Sequence, residues 1–439
     1  MAVPENERNV VILVNDYQDK YRRAIEKLSK RLGRELKIVL LVDEKLKETG
    51  KYSHDETAPY DELVCNYDDD VSLHSAVASF SGGVILALGV SELNQDYLQK
   101  LLPHVPYINN PTTASLDWAT HKGQMRAIME AYNPEMVPKV HEVEVWDPAH
   151  INEITSRLSF PMIIKPTGLA QSVLVSKANN RDELHEMLEH SFTMLESAYR
   201  QDRGRGAPSM IVEEFIEGDM YTVDGYVNHL GEVWTLPFLK TVTNNAAGLE
   251  GFHNLHTDSF LDLSEADLAA GDTMAQSSAR ALALKSTAVH IELFHTKNGW
   301  KIIELGARTG GLRDEIYAEA FGIDHIYNEL LIKLNLDPEI TTDTKSFVSM
   351  IDISPQEDGV LHEIRGVDEA RRLPHVCYAN VMLEPGPSVS VSVEGSRVLV
   401  LGMISAPTRE EAEAARDEAI RLIQPVIKPI DVVGGAQLN

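Results

Sequence analysis

The stretch VHIELFHTKNGWKIIELGARTGG, residues 289–311, sets two glutamates, Glu292 and Glu304, in two strongly apolar runs joined at Asn298-Gly299. Asn-Gly between β-rich runs signals a hairpin, because both residues tolerate positive φ. The runs read as strands over 289–295 and 300–306. A loop with an odd number of residues centred on Asn298 sets Glu292 opposite Glu304, Phe294 opposite Ile302 and Leu293 opposite Ile303. Directly opposed side chains have Cβ atoms roughly 4.5–5.5 Å apart, and like charges there are destabilising. A two-residue loop shifts the register by one and sends the glutamates to opposite faces. The sequence leaves both registers open. Where the carboxylates converge, a cation belongs between them, and oxygen ligands that leave room for phosphate oxygens suit Mg²⁺.

Composition narrows the class around this hairpin. A length of 439 residues gives a prior of about three domains. Forty basic against 67 acidic residues give a net charge of −27, which argues against nucleic acid or an anionic membrane as partner. The two cysteines, Cys65 and Cys377, stand in unrelated contexts, so neither a disulfide framework nor a zinc site is expected. MAVPENERNVVILVND carries no basic leader followed by an apolar segment. No apolar run approaches the roughly 18 residues of a membrane span. The expected location is cytoplasmic.

The first hundred residues alternate strand and helix: VVILV (10–14), YRRAIEKLSKRL (21–32), KIVLLV (37–42), GGVILALG (82–89) and SELNQDYLQKLL (91–102). That alternation implies a parallel sheet with helices on its faces. No G-x-G-x-x-G follows the first strand, so the dinucleotide fingerprint is absent. A helix lies between Pro111 and Pro134. Strands PMIIK (161–165) and QSVLVSKA (171–178), a helix from Arg181 to Arg200 and the linker QDRGRGAPS (201–209) follow. Strands MIVEEFI (210–216), MYTVDGYVN (220–228) and WTLPFLKTVT (234–243) continue an antiparallel region. The loop 244–260 is long enough to be functional. Ser264, with Asp267 three residues on, caps a helix running to about 285.

Several residues can carry chemistry. Lys165 ends an apolar strand beside the turn Pro166-Thr167-Gly168 and can hold a phosphate as a point charge; a lone strand-end lysine more often snorkels to solvent. Lys122 in the first turn of a helix opposes the helix dipole unless an anion binds there. Glu213 and Glu214, ahead of Phe215, Ile216 and Gly218, end an apolar strand at a turn, which can pair with a purine edge. Arg308 and Arg313 suit carboxylate and phosphate oxygens, and Gly310-Gly311 lets backbone approach a ligand. His253 and His256 lie in the long loop, and Tyr317 is a further pocket candidate.

In order along the chain, Lys122, PMIIKPTG, VEEFIEGD and VHIEL…KIIELGARTGG resemble the ATP-grasp superfamily over about 200 residues. The closer resemblance is to its carboxylate–amine ligases of the L-amino-acid ligase, dipeptide-forming type. The resemblance implies a mixed α/β and α+β fold in three parts: a parallel α/β domain over 1–117, a two-subdomain grasp domain over 118–345 with a lid at about 139–209, and a small α+β domain over 346–439. It implies ATP as cofactor, with Lys122, Lys165 and Gly168 at its phosphates and Glu213, Glu214, Phe215, Ile216, Asp219 and Phe294 around the nucleoside. Glu292 and Glu304 would hold Mg²⁺, with Mn²⁺ as a substitute. Arg308 would be the catalytic arginine, and His256, Arg308, Gly310, Gly311 and Arg313 would meet substrate. The implied reaction joins a small-molecule carboxylate to an amine through an acyl phosphate with release of ADP, and lid closure excludes water. A homodimer is compatible with this build.

Three departures qualify the match. Many relatives carry E-x-N-x-R, whereas this chain has Glu304-Leu305-Gly306-Ala307-Arg308. The position of the usual ribose-binding acid is Met220, which leaves Asp219 as the substitute. The phosphate loop 168–172 has one glycine. The competing readings are a biotin-carboxylase-like enzyme and a nucleotide-binding protein with a degraded site.

Overall fold

The structure, a computed structural model, describes residues 4, 7–89, 91–169, 173–201, 204, 206–249, 251–391 and 398–429. Strands β1 (Val10–Val14), β2 (Lys37–Asp43), β3 (Asp61–Cys65) and β4 (Val84–Leu88) form a parallel sheet in the order β3-β2-β1-β4. Every residue of β1 and β4 is buried, as uninterrupted apolar strands are when helices cover both faces. The strand missed by sequence is β3, DELVC, an edge strand whose two acids hide its pattern.

Strands β5 (Val140–Val143), β6 (Met162–Pro166), β7 (Ser176–Ala178) and β8 (Met210–Glu214) make a second, antiparallel sheet in the order β5-β8-β6-β7. It has its own core, in which Ile164 and Val212 meet Ile151, Leu184 and Leu188 of the helices His150–Arg157 and Arg181–Gln201. The strand expected over 171–178 is confined to 176–178. Residues 171 and 172 lie outside the described residues, and Leu174 sits in a turn at φ 55°.

The central region comprises β9 (Asp219–Val227), β10 (Val233–Thr235), β11 (Leu239–Thr243), β12 (Asn254–Asp258), β13 (Thr287–Thr296), β14 (Gly299–Gly306) and β15 (Phe347–Ile353). After them come β16 (Gly359–Arg365), β17 (Val376–Val381), β18 (Ser388–Val389), β19 (Val400–Ala406) and β20 (Gln424–Lys428). One nine-stranded sheet runs β14-β13-β9-β11-β12-β15-β19-β17, with β10 paired to β9, and a small sheet runs β18-β16-β20. The segment after residue 346 therefore enters the central sheet through β15, β17 and β19. The single strand expected over 234–243 is two, β10 and β11, separated at Pro237, which cannot donate to a ladder. The long loop contains β12, which pairs with β11 and β15.

Hairpin β13–β14 combines the two registers left open by sequence. Thr296 pairs with Gly299, so the loop is the two residues Lys297 and Asn298, and Gly299 takes φ 102°. Near the turn Phe294 faces Lys301 and Leu293 faces Ile302, not the Ile302 and Ile303 expected. A β-bulge then inserts Ile303, and beyond it Glu292 faces Glu304. Such a bulge puts two residues of one strand against one of its partner. Ile302 and Leu305, three apart, consequently both enter a core shared with Trp300, Ala275 and the N-terminal sheet. Replacing either Ile302 or Leu305 by alanine is expected to cost about 2–5 kcal/mol in chemical denaturation. A regular strand would bury only one of them, and a neutral result at the other would show the bulge to be absent.

Candidate active site

A cavity of about 400 Å³ opens between the second sheet and the β9–β13–β14 end of the central sheet. Its apolar part is made by Ile163, Val175, Phe215, Ile216, Met220 and Phe294, and its charged part by Lys122, Lys165, Glu292 and Glu304. Apolar walls with a few convergent charges are the usual composition of a small-molecule site. Here the apolar surface suits a flat heterocycle and the charged end suits phosphates with a cation. The bulge brings Ile303 and Glu304 together onto the cavity wall.

Each charge is held by its element. His121 caps the helix Lys122–Tyr132, its Nδ1 accepting from Gln124 N at 3.3 Å. Lys122 is thereby set in the first turn, buried, with Nζ donating to Leu169 O (2.7 Å) and 3.3 Å from Glu304. At the end of β6, Lys165 is also buried, 2.7 Å from Glu213. Burial pushes its amine down from the ordinary lysine range, against the pull of Glu213. Glu213 is the anchor beneath the cavity: Arg126 Nε donates to it at 2.6 Å, and a second Arg126 nitrogen donates to the bulge carbonyl of Ile303. Burial pushes the Glu213 carboxyl up, but Arg126 and Lys165 together hold it at about 2.

Arg126 was not singled out from sequence. Its signal was there: in KGQMRAIM it falls on the buried helix face with Lys122, Met125 and Met129. Its guanidinium ties this helix to both sheets.

A second network stands behind Glu292. Asp224, fully buried on β9, accepts from His290 Nδ1 (2.6 Å), His325 Nε2 (2.8 Å) and the Gly310 backbone N–H (2.7 Å). The Tyr226 hydroxyl donates to His325 Nδ1 at 2.6 Å. Burial pushes the Asp224 carboxyl up, yet the two histidines pull it far below the carboxylate range. His290 Nε2 lies 3.5 Å from Glu292. One ring nitrogen faces each carboxylate, a placement that favours the imidazolium form; burial works against it, but Asp224 and Glu292 raise the His290 pKa. For Glu292, burial works upward, and His290, Arg313 and Arg308 outweigh it to hold the carboxyl low.

Not every expected residue reaches the cavity. Lys122, Lys165, Glu213, Glu214, Phe215, Ile216, Phe294, Glu292 and Glu304 line it. Gly168 is not in the wall, and its N–H is committed to the Tyr199 hydroxyl at 2.9 Å. Residues 170–172 of the phosphate loop lie outside the described residues. Asp219 is exposed and faces Lys240 at 3.9 Å; Glu217 takes a place in the wall instead. His256 is buried on β12 beside Asp258 (3.1 Å), which also binds Arg416 at 2.7 Å. Tyr317 is fully buried and structural: its hydroxyl accepts from Asp224 N and donates to Pro237 O. Arg308 Nε donates to Glu92 of the N-terminal domain and Nη1 to Thr309 O (2.8 Å). Gly310 is pressed between Arg313 and His290, where a Cβ would have no room, whereas Gly311 faces open space. Thr243 at the end of β11, with Asn245, Ala246 and Phe252 from the long loop 244–260, also lines the wall.

The opposed glutamates at the charged end of the cavity can take a cation. Among the described residues no group of three or more His, Cys, Asp or Glu side chains is set to hold a metal alone. Two carboxylates that leave the remaining positions to phosphate and water match what Mg²⁺ takes in phosphoryl-transfer sites. Likewise among the described residues, no helix is long and apolar enough to cross a membrane.

The ATP-grasp domain model matches residues 158–315, and the L-amino acid ligase C-terminal domain 2 model matches 353–428. A D-alanine–D-alanine ligase of Streptococcus pneumoniae (strain CGSP14) is 29% identical over 154 residues, covering 33% of this chain and 43% of its own. The chain thus spans less than half the length of that curated relative. The crystal structure of L-amino acid ligase from Bacillus licheniformis superposes with a TM-score of 0.74 at 18% identity, over 96% of this chain and 99% of that one. A biotin carboxylase complex with β,γ-ATP from Campylobacter jejuni gives a TM-score of 0.60 at 15% identity, over 95% and 92%. The fold is ATP-grasp, with a parallel N-terminal sheet and antiparallel sheets around the cavity.

Glu213 yields a test of the anchor. Its folded pKa lies below the unfolded value, so its stabilisation is present above the ordinary carboxylate range and is lost as pH falls through about 2. Glu213→Gln strands two buried cations and is expected to cost about 3–5 kcal/mol near neutral pH. The deficit against wild type should shrink in denaturation measured towards pH 2. A constant deficit would refute the ionised anchor.

Proposed function

We propose, from a chain that carries an ATP-grasp domain and an L-amino acid ligase C-terminal domain, that this is an ADP-forming carboxylate–amine ligase acting on amino acids or small peptides. The observation that carries the reading is the opposed pair Glu292–Glu304, at the charged end of an otherwise apolar cavity that also holds Lys122 and Lys165. In this reading the apolar walls and the Glu214–Ile216 segment take the adenine, Glu217 replaces Asp219 as the acid nearest the ribose, and the two lysines take phosphate oxygens. Glu292 and Glu304 would hold Mg²⁺, which would supply neutralisation of phosphate charge.

The chain's residues position and neutralise; none is needed as a nucleophile. The substrate carboxylate attacks the γ-phosphorus, ADP leaves, and an acyl phosphate forms. An amine then attacks the acyl carbon, inorganic phosphate leaves, and the amine loses a proton. Arg308, fixed by Glu92, lies beside Glu304 and steadies charge on the acyl phosphate. The Asp224–His290 pair orients Glu292 from behind. The second sheet, with its separate core, covers the cavity and keeps water from the acyl phosphate. We propose a cytoplasmic location and small-molecule partners; a homodimer is compatible with the assignment.

The test is incubation with ATP, Mg²⁺ and pooled amino acids, read by nucleotide analysis and mass spectrometry. ADP and phosphate dependent on the pool, with a product mass equal to two components minus water, are expected. AMP and pyrophosphate would exclude an acyl phosphate. Glu304→Ala is expected to lower turnover by at least about 10²-fold, as loss of a preorganised electrostatic group does, with folding intact. Retained Mg²⁺-dependent turnover in that variant would remove the metal assignment.

A further inference from the structure

Beside the cavity, past Glu292, lies a pair of charges the reaction as described does not use. On the helix Arg313–Phe321, the buried stripe is Arg313, Ile316, Tyr317 and Ala320. The apolar members pack on Val348 and Met350 of β15. The two elements run antiparallel: Lys345 N and Ser346 N donate to Ala320 O at the start of β15, and Tyr378, hydrogen-bonded to Glu315, touches the Met350 sulfur. Side chains two apart on a strand share a face. The next β15 residue on the Val348–Met350 face is Asp352, and the next helix residue on the stripe is Arg313. An apolar contact row therefore ends in a cation facing an anion.

The two do not close on each other. Arg313 is 6% exposed, and among the described residues no hydrogen bond or ion pair holds its guanidinium; its Nε is buried without a partner. Asp352 is partly buried and, among the same residues, has no hydrogen bond or ion pair either. Buried polar groups in native folds are nearly always paired, and an exception is a candidate functional group. The position is also right for one. Arg313 presses on Gly310 beside His290, the neighbour of Glu292. Just beyond the end of β15, Ser354 accepts from Asn244 (2.8 Å), whose neighbour Asn245 lines the cavity.

We propose that Arg313 and Asp352 form the subsite for the α-amino acid that supplies the acyl group, Arg313 taking its α-carboxylate and Asp352 its α-ammonium. This rests on the ligase reading for the words "supplies the acyl group"; recognition of a zwitterion rests on the two side chains alone. A guanidinium fork fits a carboxylate, and a lone carboxylate fits an ammonium. Burial already pushes the Asp352 carboxyl up to about 6, the expected state of an acid awaiting a cation. The pairing also has a chemical consequence. An ammonium held by Asp352 has no lone pair, so the bound donor's amine is not itself a nucleophile, and the second substrate supplies the amine that attacks the acyl carbon.

The full chain with ADP is dialysed to equilibrium against the twenty L-amino acids, each with its α-carboxamide and its des-amino acid, and retention is read by mass spectrometry. At least one amino acid is expected to bind about tenfold or more tighter than its amide and its des-amino analogue, the effect of one charged hydrogen-bonding group. Arg313→Met should erase the discrimination against the amide, and Asp352→Asn that against the des-amino acid, each with an unchanged thermal midpoint. Should Arg313→Met not fold, Arg313→Lys, which keeps charge but loses the fork, carries the same comparison. Retention of no amino acid, or discrimination that persists in the variants, would overturn the subsite. Retention without ADP formation on adding ATP and Mg²⁺ would sink the ligase reading and leave the subsite standing.

Discussion

Two carboxylates facing each other across a hairpin repel, and the rest of the site is arranged to make that repulsion tolerable. Glu304 has Lys122 at 3.3 Å, Glu292 has His290 at 3.5 Å, and Arg308 and Arg313 contribute positive potential to Glu292. These cations do not cancel the pair; at Glu292 they outweigh burial, which alone would favour uptake of a proton. His290 can serve because Asp224 fixes it from the other side, and Asp224 can be buried because three donors satisfy it. Strands β9 and β13, the turn after β14 and the helix His325–Lys333 are thereby locked into one geometry.

The bulge at Ile303 is the geometric counterpart of that electrostatic arrangement. It moves Glu304 to the cavity side while Leu305 stays in the core, and it offers Arg126 a carbonyl. The same Arg126 grips Glu213, which grips Lys165. One guanidinium thus connects hairpin β13–β14 to strands β8 and β6. The third position of the common E-x-N-x-R run is Gly306 here, and a Cβ there would meet Arg308 and Glu92 at 3.5 and 3.6 Å. Those are ordinary contact distances, so the Glu92–Arg308 ion pair packs directly against this position.

Sequence made the elements with strong patterns legible. The strands of the N-terminal sheet with continuous apolar runs, the capped helix after Ser264 and the existence of the hairpin carrying the two glutamates are readable, because hydrophobic period and turn chemistry are local. The bulge was not legible, since a two-residue loop and a carboxylate pair seemed to be alternatives; only tertiary partners for Ile302, Ile303 and Leu305 decide the register. Asp224 looked like one acid in a β-run, and its meaning depends on His325, far away in sequence. His256 and Tyr317 were attractive by residue type, yet the structure spends them on Asp258 and on Asp224 and Pro237. Asp219 and Glu217 differ by two positions on one turn, below what spacing alone resolves.

The central claim is that Glu292 and Glu304 together hold a divalent cation against nucleotide phosphates. Electron paramagnetic resonance of Mn²⁺ titrated into the protein with ADP addresses it without requiring turnover or a known substrate. The account predicts a protein-bound Mn²⁺–ADP signal in the wild type that is lost in Glu292→Gln and in Glu304→Gln, with both variants folded. Equal Mn²⁺ affinity in all three proteins would contradict it.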